Sequence, residues 1–334
     1  MPLTVAQLSE SALLERVIPR LRSGPASRDT VILGPGDDAA ILAAPDGRVV
    51  VSIDTQVQDL DFRLRWPNGY RTTGFDVGWK AAAQNLSDIN AMGARATSLV
   101  VSLTLPGITE VEWVEDLADG LSAAIRELGA EGCAVAGGDL GTGTEISVTA
   151  AVTGSLEGRA PILRSGARPG DFVVLAGTVG WAAAGLALLE SDHQQQTLPA
   201  ELAVVVERQC RPRPPLQAGP MAALAGVSAM LDISDGLVKD AQRLALASSV
   251  HIDLDQAALK RLAEPLRPAA ELLRTDPMDW VLGGGEDHGL LATVNPTVMP
   301  VTGFTTVGSV EAGPAEVTVG SQSPANLGWD HFAD

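Results

Sequence analysis

Cysteine is scarce in this chain, with Cys133 and Cys210 the only two. Two thiols build no disulfide framework, and a reducing compartment, the cytoplasm, is expected. Positive charge is scarce too: 23 Lys and Arg stand against 41 Asp and Glu, a formal net charge of −18. That balance excludes nucleic-acid binders, which need a basic face. It leaves phosphorylated ligands open, because bound cations invert the local field. Lys80, Lys239 and Lys260 are the only lysines, and arginine carries the other positive charges. No apolar run reaches the roughly 18 residues of a membrane span, so no membrane partner is expected. The opening MPLTVAQLSE lacks a basic stretch followed by an apolar one, and no secretory signal is read there.

Several enzyme motifs are missing as well. There is no G-x-x-x-x-G-K-[ST] phosphate loop, no H-R-D and D-F-G pair, and no G-x-S-x-G nucleophile turn. The four histidines are dispersed and no Cys-x-x-Cys occurs, so zinc is not indicated. What is present is an ordinary globular composition, 46% hydrophobic and 19% charged over 334 residues. That length suffices for one large domain or two medium ones.

Periodicity divides the chain. Leu14, Val17, Ile18 and Leu21 follow i, i+3, i+4, i+7, a helix that Thr4 or Ser9 would cap. Residues 39–44 and 48–55 flank Pro45-Asp46-Gly47 and predict a hairpin. Residues 75–92 read as a helix stopped by Gly93, and 98–105 as a strand. Thr109-x-x-Glu112 reads as a capping box for a helix to Leu128, stopped by Gly129. Residues 133–136 and 145–154 read as two more strands, giving a sheet with helices on one face. A turn-rich link at 164–171 opens a second unit. It starts with a strand at 172–176, an Ala- and Leu-rich helix after Gly180 and a Pro-rich connection. A helix, a strand at 229–233, a helix from Gly236 and strands near 288–294, 304–310 and 315–319 follow. The expected fold class is α+β in two domains, 1–155 and 156–334.

The informative residues are aspartates in turns. Asp37 and Asp38 lie in GPGDDAA, Asp54 in VVVSIDT, Asp88 in NLSDINAMGA and Asp139 in AGGDL. Asp232 and Asp235 lie in LDISDGL, and Glu286-Asp287 in GGGEDHG. Asp54, Asp139 and Asp232 each follow an apolar segment, which is expected to set them where the chain leaves a sheet. Their short stems hold oxygen ligands rigidly, and magnesium takes carboxylates, water and substrate phosphates. An aspartate beside glycine also marks a turn or a cap with no metal, and Ser234 or Asp235 would cap the helix that follows. Lys80, Gln84 and Asp88 share one helix face, either a solvated charge stripe or a face aimed at a metal-phosphate site. Gly283-Gly284-Gly285 reads as a tight turn or a phosphate loop. Acidic strand ends that converge repel one another without cations, so such a chain is expected to bind several.

These motifs in this order resemble the thiamine-monophosphate kinases, of the superfamily that includes aminoimidazole ribonucleotide synthetase. The matching stretches are GPGDDAAIL (34–42), VSIDTQV (51–57), GWKAAAQNLSDINAMGA (78–94) and AGGDL (136–140). RSGARPGD (164–171), LDISDGLVKDA (231–241), GGGEDHGLL (283–291) and GWDHF (328–332) complete the set. Selenophosphate synthetases resemble it with a reactive Cys or selenocysteine near the start, whereas the first cysteine here is Cys133. The hydrogenase-maturation carbamoyl dehydratases end in a functional cysteine, whereas the last residues here are His-Phe-Ala-Asp.

The resemblance implies an ATP- and Mg2+-dependent enzyme that phosphorylates thiamine monophosphate to thiamine diphosphate, the last step of that cofactor's biosynthesis, by direct in-line transfer. Another ATP-using member of the superfamily, such as a purine-pathway cyclo-ligase, is the alternative. It implies Asp38, Asp54, Asp88, Asp139, Asp232 and Asp235 as metal ligands, with oxygens added by Ser52 and the main-chain carbonyl of Ile53. Asp54, Asp88, Asp139 and Asp235 would carry catalysis, and Gly138, Asp139, Arg164 and Ser234 would contact ATP. Asp61, Glu286 and Trp329 would line the thiamine site, with Trp329 either packing on a thiamine ring or anchoring the chain end on the core. A homodimer is also implied, with an N-terminal ferredoxin-like domain forming a shared β-barrel and a C-terminal α+β domain completing the cleft. Asp61 departs from a common His, Leu140 from the Thr of GGDT, and His288-Gly289 from the GEDYEL pattern.

Overall fold

The computed structural model describes residues 2–21, 29–33, 40–324 and 328–329. Two units are distinct: Met1–Ile89 with Ala94–Gly158, and Asn90–Gly93 with Arg159–Asp334.

In the first unit α1 (Glu10–Val17) starts at Ser9, whose side chain accepts from the Ala12 N–H at 3.2 Å, so Ser9 is its cap. The short strands β1 (Val31–Leu33) and β2 (Ile41–Leu42) pair with each other. The main sheet holds β3 (Val50–Val57), β4 (Arg95–Leu105), β5 (Ala134–Thr142) and β6 (Ser147–Ser155) in the order β3-β6-β4-β5. Only β4 and β5 run parallel, and α3 (Val111–Glu127) makes that crossover, while α2 (Gly74–Ala91) joins β3 to β4. Burial alternates along β4 and β6, with Leu99, Val101, Leu103, Val148, Ala150 and Val152 on the buried face.

Three expectations need correction here. The hairpin across Pro45-Asp46-Gly47 does not form: β3 pairs along its whole length with β6, from Val50–Gly154 to Val57–Ser147. A two-residue β2 cannot satisfy as many backbone groups as that ladder does. The connection order β-α-β-α-β-β is not the β-α-β-β-α-β of a ferredoxin-like domain. Within one chain the four-stranded sheet is open, with β3 and β5 at its edges, and the expected barrel is one shared by two copies. Thr109 is not a helix cap either: α3 begins at Val111 behind Glu110, and Thr109 instead accepts from the Val5 N–H and donates to the Pro106 carbonyl.

The second unit is built on a six-stranded sheet. Its strands are β7 (Phe172–Ala176), β8 (Ala229–Asp232), β9 (His251–Leu254), β10 (Leu290–Val294), β11 (Thr305–Glu311) and β12 (Val317–Val319). The order is β12-β9-β11-β7-β10-β8, antiparallel except at β9–β12. Every residue of β10 is buried, as a run that is apolar except for Thr293, itself paired with the Ser228 hydroxyl at 2.7 Å, requires when both faces are covered. Among the helices are α4 (Trp181–Leu189), α5 (Ala200–Cys210), α6 (Ala218–Ala225) and α7 (Leu237–Ser248). Three more follow: α8 (Gln256–Ala263), α9 (Arg267–Leu273) and α10 (Pro277–Gly283). The edge strand β8 ends at Asp232, and the chain turns through Ile233-Ser234-Asp235 into α7.

Candidate active site

In the first unit a helix stripe lies against a strand stripe. The two-residue period of β3 sets Ser52, Asp54 and Gln56 on one face, while Val51, Ile53 and Thr55 are exposed on the other. The Ser52 hydroxyl donates to Asp88 Oδ2 at 2.5 Å, and Gln56 Nε2 donates to Gln84 Oε1 at 2.9 Å. The buried Lys80 Nζ donates to the Asp61 carbonyl at 3.1 Å. The Lys80–Gln84–Asp88 face is therefore not a solvated stripe; it is engaged by β3 and the turn after it. Asp61 closes that turn, its carboxylate accepting from the Val57 N–H at 2.7 Å and its N–H donating to the Val57 carbonyl at 2.9 Å.

Asp54 and Asp139 do not sit at strand ends. Both lie inside strands, because backbone pairing continues past the apolar residues that suggested the boundary. Asp54 shares a row across the sheet with Ala150, Val101 and Gly138. Asp139 is one residue beyond that row, so it projects from the opposite face and is exposed. The two strands are at opposite edges, three spacings or roughly 14 Å apart. Among the described residues no three Asp, Glu, His or Cys side chains are grouped closely enough to hold an ion. Asp38 lies outside the described residues.

In the second unit two loops are zipped together. Ile233 N–H donates to the Gly289 carbonyl at 2.7 Å, His288 N–H to Ile233 at 3.1 Å, and Glu286 N–H to Ser234 at 2.9 Å. The contact is backbone against backbone: a Cβ on Gly285 would come within 2.1 Å of the Ser234 carbonyl oxygen. Glycine at this position therefore serves close approach. Glu286 and His288 hold left-handed backbone, with φ of +66° and +54°, a strain of a kind that clusters at functional sites.

The side chains of the two loops are held individually. Buried Asp232 lies 3.3 Å from His288 Nδ1. Neither Ser234 nor Asp235 caps α7 by its side chain. Instead the buried Asp240 carboxylate reaches back and accepts from the N–H groups of Ser234 and Asp235, both at 3.0 Å. Burial pushes the Asp240 carboxyl up to about 6, opposed by the Asp235 N–H and by Arg243. Arg243 bridges Asp240, at 2.5 Å, and Asp235. Asp287 is buried beneath the loop, accepting from Thr178 Oγ1 at 2.9 Å and from the Ala182 N–H in the first turn of α4 at 3.2 Å. Its burial raises the carboxyl to about 6.

The remaining expected residues flank these loops. Arg164 is exposed on a segment beside β8, whose Met230 N–H donates to the Leu163 carbonyl at 2.9 Å. Trp329 donates its N–H to the Asp235 carbonyl at 2.9 Å, and Lys239 donates to the Trp329 carbonyl. Trp329 is 62% exposed as a residue, so it does not anchor the chain end in the core. Reading the sequence missed Asp240, Arg243, Lys239 and Gln209, whose Nε2 donates to Glu286 Oε2 at 2.6 Å. Gln209 did carry a signal, being the polar member of an i, i+3, i+4, i+7 stripe with Leu202, Val205 and Val206.

Comparison with known proteins places this geometry. Residues 36–156 match the N-terminal domain of AIR synthase related proteins, and residues 168–298 match the C-terminal domain. The thiamine-monophosphate kinase of Mycobacterium tuberculosis is 44% identical over 333 residues, covering 99% of this chain and 94% of the relative. The solved thiamine-monophosphate kinase of Stenotrophomonas maltophilia superposes with a TM-score of 0.77 at 30% identity, covering 95% of this chain and 98% of its own. A solved AaThiL complexed with AMPPCP and TMP superposes with a TM-score of 0.75 at 30% identity, covering 85% of this chain and 87% of its own.

Proposed function

This chain belongs to the thiamine-monophosphate kinases of the AIR synthase related family, and from that premise we propose that it uses ATP to phosphorylate thiamine monophosphate, giving thiamine diphosphate. The observation that carries the reading is likeness over the full length at 44% identity, joined to a neighbour solved with AMPPCP and TMP.

The acceptor is itself a phosphate. Its second pKa is about 6, so it is mostly dianionic at neutral pH and no side chain has to remove a proton. The obstacle is repulsion between two anions. Bound magnesium supplies charge neutralisation and alignment of the two phosphates.

The residues present fit that ion. Ser52 Oγ and Asp88 Oδ2 are 2.5 Å apart with Asp54 on the same strand face, an oxygen-only donor set suited to a hard cation. In this reading several ions are bound: Asp38, Asp54, Asp88 and Asp139, with Ser52 and the Ile53 carbonyl, are metal ligands of the first unit, and Asp232 and Asp235 are metal ligands of the second. Asp235 keeps one oxygen on Arg243, which restrains its rotamer and leaves the other for an ion.

Arg164 offers a fork of N–H donors to nucleotide phosphates, and Gly138 and Ser234 are the other ATP contacts of this reading. Glu286, Asp61 and the exposed Trp329 take the thiamine. Transfer is direct, because carboxylates committed to metal, hydroxyl and guanidinium partners are poor nucleophiles. The outward face of the edge strand β3, with Val51 69% and Ile53 64% exposed, supports association with a second copy. Both cysteines are buried thiols, in keeping with a cytoplasmic protein.

The test is an endpoint reaction of ATP, magnesium and thiamine monophosphate, read by chromatography against a no-metal control. Magnesium-dependent thiamine diphosphate is the expected product. Its absence from folded protein overturns the reading and directs assays to cyclo-ligase substrates and imidazole nucleotide products.

A further inference from the structure

We propose that Gln209 is a positioning residue for the substrate, holding the Glu286 carboxylate where it recognises the amino group of the thiamine pyrimidine. The inference rests on the proposed function and deepens it.

Gln209 occupies a place where an apolar residue would pack better. It continues the buried stripe of α5 after Leu202, Val205 and Val206, and is itself only 5% exposed. The facing helix α4 makes room for it with Gly185, where a Cβ would come within 2.4 Å of the Val205 carbonyl oxygen and 2.9 Å of Gln209 Cβ. So seated, Gln209 Nε2 donates to Glu286 Oε2 at 2.6 Å, while its Oε1 is buried with no hydrogen-bond partner. The amide cannot be reversed, since its oxygen would then face the carboxylate. A buried, unmet acceptor lowers stability. A residue that breaks the packing rule without a structural return is expected where function retains it.

The other end of the hydrogen bond explains the return. Glu286 holds left-handed backbone, and its N–H is fixed on the Ser234 carbonyl at 2.9 Å. Main chain and side chain are thus both restrained, which presents the carboxylate in one direction. A carboxylate only accepts hydrogen bonds. In thiamine monophosphate the hydroxyl is esterified, so the pyrimidine amino group is the N–H donor left for Glu286 to read. A carboxylate aimed in advance binds that group without first losing rotamer freedom.

The full-length protein with Gln209→Leu tests this. Its melting temperature should stay within a few degrees of the wild type, because loss of the unmet acceptor offsets loss of the hydrogen bond to Glu286. Its KM for thiamine monophosphate should rise about tenfold or more, the scale of a hydrogen bond to a charged group, with kcat and the KM for ATP unchanged. Selectivity against an analogue lacking the amino group should narrow. Gln209→Asn, whose amide is too short to reach Glu286, should show the same KM shift. An unchanged KM in both variants overturns the inference, as does a KM rise confined to a destabilised Gln209→Leu. Wild-type protein that makes no thiamine diphosphate overturns the proposed function, and this inference with it.

Discussion

Replacing Asp287 by Asn should stabilise the second unit at neutral pH, although it alters a residue inside a family motif. Asp287 is buried beneath the 284–289 loop, and burial raises its carboxyl from 3.8 to about 6. A carboxyl raised on folding contributes fully below its unfolded pKa and loses that contribution as pH climbs through the folded value. The window is therefore about pH 4 to 6, and above it the ionised group costs about 3 kcal/mol, from roughly two pKa units at 1.36 kcal/mol each. Asparagine carries no charge and can keep the geometry. Its Oδ1 would accept from the Ala182 N–H, and its Nδ2 would donate to Thr178 Oγ1, two of the partners Asp287 now has beside the Gly180 N–H. Allowing for imperfect fit, the gain at pH 8 should be about 1–3 kcal/mol. Urea unfolding of both proteins at pH 5, 6, 7 and 8 measures it, and the gap between them should widen with pH. A variant less stable than wild type at pH 8, or a gap that ignores pH, would refute the reasoning and make the ionised carboxylate a net stabiliser of the α4 N-terminus.

Three further outcomes are expected. Asp88→Asn should cut turnover roughly 100-fold or more while leaving the melting temperature within a few degrees, since outer partners of metal ligands alone are worth 10–100-fold; near-normal turnover at limiting magnesium sinks the metal assignment. Ser52→Ala removes the hydroxyl 2.5 Å from Asp88 Oδ2 and should raise the magnesium requirement about tenfold at unchanged saturating rate, read from a magnesium titration. Gly285→Ala sets a Cβ 2.1 Å from the Ser234 carbonyl oxygen, which must part the two loops; thermal unfolding should drop by several degrees, and an unshifted transition would show that the loops are not held backbone to backbone.

Local chemistry was legible where it was strong. The stop glycines Gly93 and Gly129 end their helices with φ of +72° and +80°, because only glycine adopts that backbone without strain. The largely apolar runs at 172–176 and 290–294 are strands, buried but for the exposed Phe172 at the start of the first. Helix entry was less legible. Asp240 reaches back to Ser234 and Asp235 from the first turn of α7, so the capping carboxylate follows the helix start instead of preceding it. Strand length was misjudged at Asp54 and Asp139 because polar residues inside a ladder leave its backbone pairing intact.

The sequence by itself determined the α+β class, most of the elements and the family, because apolar periodicity, glycine stops and ordered acidic motifs are local properties. Which surfaces those elements share was decided only by tertiary structure. Nothing local to VSIDTQV says that Ser52 meets Asp88, 36 residues on, or that β3 takes β6 as its partner, nearly a hundred residues away. Nor does α5 alone show that the polar residue in its buried stripe reaches Glu286, 77 residues later. Such pairings follow from which strand offers the longer ladder and where glycine allows two backbones to touch, and both depend on the whole chain having folded.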